Sequence, residues 1–471
     1  PRLRRRARRR GGGRARPRAR LRQVLRPRLL RDGDDRGARD AWSVGRGGFR
    51  YDVEGWDGLR ITAAGEAYGG EIGETSVIRS LTPPLSAVRA DDTAVNGGHL
   101  RLQVEDASEP DSGWTLRAYY DRTDRDALYL EESRDTLEVA WEQHMEAADR
   151  LWFIWGATYR FTTDDTDGTL TTSFDKEDRS VHLFSGFVQG NYDLVADRLL
   201  LMFGSKVEYD DLAGLQALPG LRLAWTPTED HTVWAAASRA LRNPARTSKD
   251  LRITLGVLPT APPSPIRAAG RNGIDPERLA AYEAGYRFRY GEAFNLDATF
   301  FYNRYDDLVE AIPSPASPAL FLLRNVQSAE TFGGEIALTL RPVDFWELSA
   351  AYSWSKTHLL RTTPGTTGAT REPGEGSFPR NLAQAHSRMD LPGGVEFNVA
   401  AYYVDRTPIY DVPAYVRLDV GLAWRPIEAV ELSLWGQNLL DDRRPEFDDE
   451  LVLGVRGEVE RAVWGSVALR F

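Results

Sequence analysis

Phe294-Asn-Leu-Asp-Ala-Thr-Phe-Phe-Tyr-Asn-Arg-Tyr305 alternates its side chains with a period of two. Phe294, Leu296, Ala298, Phe300 and Tyr302 fall on one face of an extended chain, while Asn295, Asp297, Thr299 and Asn303 fall mostly on the other. Further on, Val395, Phe397, Val399 and Ala401 oppose Glu396 and Asn398 in the same way. A run of ~8–12 alternating residues is the length of a tilted strand that crosses a bilayer, one face on lipid and the other on a polar lumen. From Trp42 onward roughly nineteen such segments follow one another, parted by acidic, Gly or Pro turns. HLRLQVE (99–105), RLWFIWGATYRF (150–161) and WELSAAYSWSK (346–356) are typical.

A soluble sandwich or propeller is the competing reading of an all-β pattern. Its strands usually run to ~5–6 residues, shorter than those here. Tyr and Trp also gather near the segment ends (Tyr119, Tyr120, Trp152, Trp155, Tyr159, Tyr352, Trp354, Tyr402, Tyr403, Trp424, Trp435), where a membrane interface takes amphipathic rings. No blade-length repeat recurs. The expected fold is therefore a large antiparallel transmembrane β-barrel. No stretch approaches ~18 uninterrupted apolar residues, so no helix is expected to span a membrane.

Connection lengths orient the barrel. Thr226–Asp230, Arg341–Phe345, Leu391–Gly394 and Arg425–Ala429 are tight and read as periplasmic; Arg242–Pro276, Asp306–Ala329 and Thr357–Asn381 are long and read as extracellular.

Several ordered motifs carry a family likeness. Ile274-Asp-Pro-Glu-Arg-Leu-Ala-Ala-Tyr-Glu-Ala-Gly-Tyr286, Tyr302-Asn-Arg-Tyr-Asp-Asp-Leu308, NVQSAETFGGEIALT (325–339) and LSLWGQNLLDD (432–442) followed by Pro445-Glu446-Phe447 resemble, in order, strand entries and the near-terminal signature of TonB-dependent outer-membrane receptors. Arg444 stands where that signature commonly has histidine. The resemblance spans nearly everything after Trp42 and covers the C-terminal β-barrel portion, which has about 22 strands in the intact family. It implies a Gram-negative outer membrane and TonB-dependent uptake of a scarce nutrient such as an iron siderophore or cobalamin. It also implies outer-membrane lipid, lipopolysaccharide and the barrel-assembly machinery as partners, with the TonB complex engaged only through a plug domain. The terminal row Val463, Gly465, Val467, Leu469 and Phe471 would be the strand that this machinery reads. A passive porin-like or adhesive barrel is the alternative.

The plug is expected to be missing, because the chain starts at or just before the first barrel strands. Residues 1–31 hold 15 arginines and no acid, so all 69 acidic residues lie in the body. This head reads as a misframed segment, its first strands damaged, with a disordered basic arm as the competing reading. Codons permitted for Arg20–Arg28 give, one base on, Val-Tyr-Gly-Lys-Tyr-Phe-Asp-Arg-Asp, which resembles a receptor strand. The acidic body does not suit nucleic acid.

Chemistry of the enzymatic kind has little foothold. The chain has no cysteine, and His99, His144, His182, His231, His358 and His386 lack ligand spacing. No nucleophile elbow or phosphate loop is present, so neither catalysis nor a cofactor is expected. Asp164-Asp165-Thr166-Asp167, Asp210-Asp211 and Asp448-Asp449-Glu450 are either oxygen cages for Ca²⁺ or solvated turns. Arg242, Arg246, Arg252 and Arg267, with Arg239 beside them, border the longest loop and are the candidates for an anionic ligand; as plain charges they would face the lumen or lipopolysaccharide. Phe321 and Phe378 are candidate stacking rings.

Overall fold

The computed structural model describes residues 16–20, 30–32, 41–55, 58–106, 108–109, 112–361, 375–446 and 457–469. A single 23-stranded sheet dominates it, and three of those strands belong to two connections described below. The others form a meander in which each strand pairs antiparallel with the next along the chain, from Trp42–Glu54 and Leu59–Arg79 to Val430–Gln437 and Ala462–Leu469. From Trp42 onward, among the described residues, this wall has nineteen strands, as counted from the alternation. Arg16–Arg20 pairs with the Trp42–Glu54 strand, and Leu30–Asp32 joins a small sheet with Gly457–Glu460 and Arg443–Pro445.

Period two sets which face is which. Phe294, Leu296, Ala298, Phe300 and Tyr302 do share one face, and Phe300 is 69% exposed. Register carries that face across the wall: Phe300 opposes Gly334 and Tyr282 opposes Tyr302. Val188, Phe203, Leu221 and Val233 are likewise apolar and exposed. The buried apolar residues, by contrast, are few and mostly small (Ala127, Ala269, Ala311, Ala329). A water-soluble protein would bury its large apolar rows. This molecule turns them outward, as lipid demands. Leu151 to Phe161 spans eleven residues, about 33 Å along the strand, or about 25 Å of height at a ~40° tilt.

The opposite face is lined with ion pairs that tie neighbouring strands. Arg60–Glu105 (3.5 Å), Arg117–Glu142 (3.7 Å), Arg341–Glu347 (2.7 Å), Arg388–Glu396 (3.2 Å) and Arg425–Glu431 (2.7 Å) recur around it. All are partly solvated, so each adds little stability. Their meaning is that the lumen is wet. Val463, Gly465, Val467 and Leu469 form an outward row on the last strand, whereas Phe471 lies outside the described residues.

The tight turns fall where the sequence places them. Leu391–Gly394 closes with Gly393 and Gly394 at φ +79° and +74°, a conformation that a Cβ resists. The long connections differ from expectation. Asp306–Ala329 is no loop: strands Phe294–Ser314 and Ser317–Val343 continue through it to a two-residue turn. Bulges at Tyr305/Leu308 and Leu308/Val309 shift the register but do not end the pairing.

Candidate functional site

The segment joining strands His231–Arg242 and Glu277–Tyr290 is the longest described connection of the wall, and it folds inward. It contains a short helix, Arg246–Asp250, and two strands, Leu251–Leu258 and Ser264–Ala269. Asp164 and Arg179 stand on the lumen faces of their strands, and each receives one residue of the helix: Arg246 pairs with Asp164, and Asp250 with Arg179. Arg246 is 8% exposed and also donates to the Glu177 carbonyl at 3.0 Å, and its guanidinium lies 4.4 Å from the Phe174 ring centre.

Backbone pairing extends these anchors into a strap. Leu251–Leu258 pairs with Thr172–Phe174, and Thr254 N donates to Thr171 O at 3.0 Å. Thr171 Oγ1 in turn accepts from Arg79 N at the tip of the Leu59–Arg79 strand. On its other edge Ser264–Ala269 runs parallel to Leu320–Leu322. The strap thus joins the Leu151–Gly168 side of the wall to the Ser317–Val343 side. Lys249 Nζ donates to Ile274 O at 3.2 Å, and burial, with help from the Arg179 charge, holds this ammonium below the usual lysine range.

Gly270 closes the strap. Its N–H donates to Leu251 O at 2.7 Å, and a Cβ there would sit 2.7 Å from the Lys249 carbonyl carbon. Backbone cannot yield as a side chain can, so Gly270→Ala is expected to loosen the strap by about 1–3 kcal/mol. Faster amide exchange across 246–270, with the wall strands unchanged, is the expected readout.

Register sorts the strap's residues by face. Arg252 opposes Ala269, Thr254 opposes Arg267, Arg267 opposes Leu320, and Arg324 opposes Glu310. Arg252, Arg267 and Arg324 therefore share one face, with Glu310 beside them. Arg252 makes a two-pronged bond to Asp175, at 2.6 and 2.9 Å. Arg267 has no ion pair among the described residues. Glu310 is 6% exposed and its Oε2 has no hydrogen-bond partner among them, nor has Arg324 Nε.

Of the four arginines singled out from sequence, Arg252 and Arg267 come together on this face. Arg242 stands at the strap's root, exposed and 3.1 Å from Glu277, and Arg246 lies inside the fastening. Arg239 lies elsewhere, on the outward face of its strand. Arg324 and Glu310 were missed. The alternating run into Arg324 was the available signal, hidden by reading 306–329 as a loop. Phe378 is exposed and Phe321 half-buried in a strand. Strand alternation sends Asp164 inward and Asp165 outward, so these two share no cage. Asp210 accepts from Leu212 N at 2.7 Å in a turn, and Asp448-Asp449-Glu450 lies outside the described residues. Among the described residues no group of three metal-ligating side chains assembles.

Residues 14–439 match the family model described as TonB dependent receptor-like, beta-barrel. No protein of curated function matches the sequence. Solved structures with the same fold include the copper transporter OprC, at TM-score 0.69 and 13% identity, covering 95% of this chain and 75% of that one. The FrpB iron transporter from Neisseria meningitidis matches at 0.68 and 13%, covering 92% and 73%. A mutant ferric enterobactin receptor from Pseudomonas aeruginosa, in complex with enterobactin, matches at 0.63 and 14%, covering 94% and 80%.

Proposed function

Because this chain belongs to the TonB-dependent receptor-like β-barrel family, we propose that it walls an outer-membrane importer whose mouth takes an anionic metal chelate. Family membership makes it a receptor and transporter barrel of the Gram-negative outer membrane, not an enzyme. The observation that carries the choice of ligand is the strap face with Arg252, Arg267 and Arg324. Arginine donates in a planar fork that suits carboxylate, catecholate or phosphate oxygens. Arg267 has no ion pair among the described residues, so it is the residue for the ligand; Arg242 guards the root, while Arg246 and Arg252 hold the strap in place. The names of the neighbours, iron, siderophore and copper transporters, agree in kind.

Active uptake on this reading needs a plug in the lumen, pulled by the TonB complex, and the ion-paired lumen face is the wall such a plug would meet. Residues 32–471 are then the receptor barrel. Within the arginine-rich head, Arg16–Arg20 stands where an early strand belongs, since it pairs with the Trp42–Glu54 strand. Sequencing the 5′ end of the gene is expected to return alternating residues in place of the arginine run, and a verified arginine run would overturn the misframed reading.

Binding to the refolded chain tests the ligand. Ferric catecholate and ferric citrate complexes are expected to quench its tryptophan fluorescence saturably, and Arg267→Ala is expected to weaken that binding about tenfold, as for a lost hydrogen bond to a charged group. Preference for a neutral corrinoid, or an unchanged affinity in Arg267→Ala, would overturn the anionic assignment. Salt conductance with no saturable ligand would favour a passive barrel.

A further inference from the structure

A trough of about 390 Å³ crosses the lumen face of the wall, and the import reading gives it no ligand. Register lays its floor: Gln189 opposes Gly204, Gly204 opposes Gly220, and Gly220 opposes Ser238. Val188, Phe203 and Leu221, the chain neighbours of this row, face lipid, so the row itself faces the lumen. A Cβ on Gly220 would meet only Ser238 Cβ, at 3.8 Å, so the space over the floor is open. Phe187, Lys206 and Leu218 form the bank nearer the strap, whose root reaches the same side through Asn243 and Glu208 at 2.8 Å. Met202, Arg222, Ala236 and Glu283, again in register, form the other bank.

The charges on these banks form two poles. Lys206 is neutralised by Glu208 at 2.5 Å. Arg222 and Glu283 have neither an ion pair nor a side-chain hydrogen bond among the described residues, although arginine meets acid across strands elsewhere on the lumen face. Ala236 stands between the two, so their backbones lie about 10 Å apart, two strand spacings. Trp234 holds the cation on its own side, since the Arg222 guanidinium lies 5.2 Å from the ring centre. We propose that the trough binds a short zwitterionic peptide, its carboxylate on Arg222 and its ammonium on Glu283. Three extended residues measure about 10 Å, the separation of the poles. The glycine floor lets a peptide backbone lie close, and Phe187, Met202 and Leu218 offer apolar cover to a side chain. With Glu208 counted, the trough carries no net charge, which suits a dipolar ligand and not the anion assigned to the strap. This site is therefore a separate one and does not depend on that assignment.

The full chain, refolded in detergent micelles, can be dialysed to equilibrium against tritiated Ala-Leu-Ala. Saturable binding is expected, and acetylating the peptide's amine or amidating its carboxylate should each weaken it about threefold, as for one solvated ion pair. Arg222→Gln and Glu283→Gln should each do the same to the free peptide. The amidated peptide should be indifferent to Arg222→Gln and the acetylated one to Glu283→Gln, which ties each terminus to its pole. Gly220→Leu, which fills the open floor, should abolish binding, whereas Arg267→Ala should leave it unchanged. Ferric citrate, the probe of the strap, should not compete, so either assignment can fail alone. Heat-modified gel mobility verifies that each variant has folded. The proposal is overturned if Ala-Leu-Ala does not bind saturably, if the capped peptides bind as well as the free one, or if Gly220→Leu keeps its affinity. It is overturned equally if Arg267→Ala weakens binding as Arg222→Gln does, which would put the peptide at the strap.

Discussion

Val188→Arg is expected to destabilise the folded barrel by about 2–4 kcal/mol, whereas Gln189→Arg, one residue on, is expected to change stability by less than about 1 kcal/mol. Val188 is half exposed midway along its strand, between Phe184 and Tyr192, and its row faces lipid. A guanidinium placed there must enter hydrocarbon or drag water after it. Gln189 points into the lumen, where its amide donates to Asn191 Oδ1 at 3.0 Å and Lys206 stands on the next strand. A new cation there stays in water and meets only mild repulsion. Urea unfolding in phospholipid vesicles, followed by tryptophan emission, measures both. Equal effects at the two positions would mean that the two faces see the same solvent, and the membrane assignment would be lost.

Arg246→Ala is expected to have the largest effect on the mouth. Its loss leaves Asp164, 9% exposed, as a buried carboxylate without its direct partner, since the nearby Arg134 and Arg179 are paired with Glu132 and Asp250, and it removes one of the donors to the Glu177 carbonyl. Removing one partner of a buried pair costs about 3–5 kcal/mol, far more than the pair's net contribution. The cost falls on the strap rather than the barrel, because the wall's ladders do not pass through Arg246. Limited trypsin digestion should therefore cut within 243–276 while the heat-modified gel mobility of the barrel persists. The double change Arg246→Met/Asp164→Leu should restore much of the resistance, since it removes both charges and keeps the volume. Unaltered digestion in the single variant would show that backbone pairing alone holds the strap.

How much could be read in advance differs between wall and mouth. Along the wall each residue's environment follows from its parity: Phe300 faces lipid and Thr299 the lumen because adjacent side chains in a strand point opposite ways. That rule needs no knowledge of distant residues, so alternation, turn lengths and the terminal row were legible from Phe294–Tyr305 outward. The same rule, applied one segment too cautiously, also explains the error at 306–329. Ile312, Leu320 and Leu322 continue the alternation past the height of the bilayer, where an edge strand is sustained by pairing with Ser264–Ala269.

Within the arginine set, local sequence is silent. Arg246 and Arg267 look alike as residues of one long polar connection. What separates them is that Asp164 lies 82 positions before Arg246, on a strand that only the tertiary fold brings within reach. Arg252 meets Asp175 across 77 positions for the same reason. The amino-acid sequence by itself determined an antiparallel membrane barrel and its family, because lipid imposes a two-residue period that every strand must obey. Which arginines fasten the mouth and which are left for a ligand was decided only in three dimensions, because a charge finds its partner by distance through space, and no period along the chain records it.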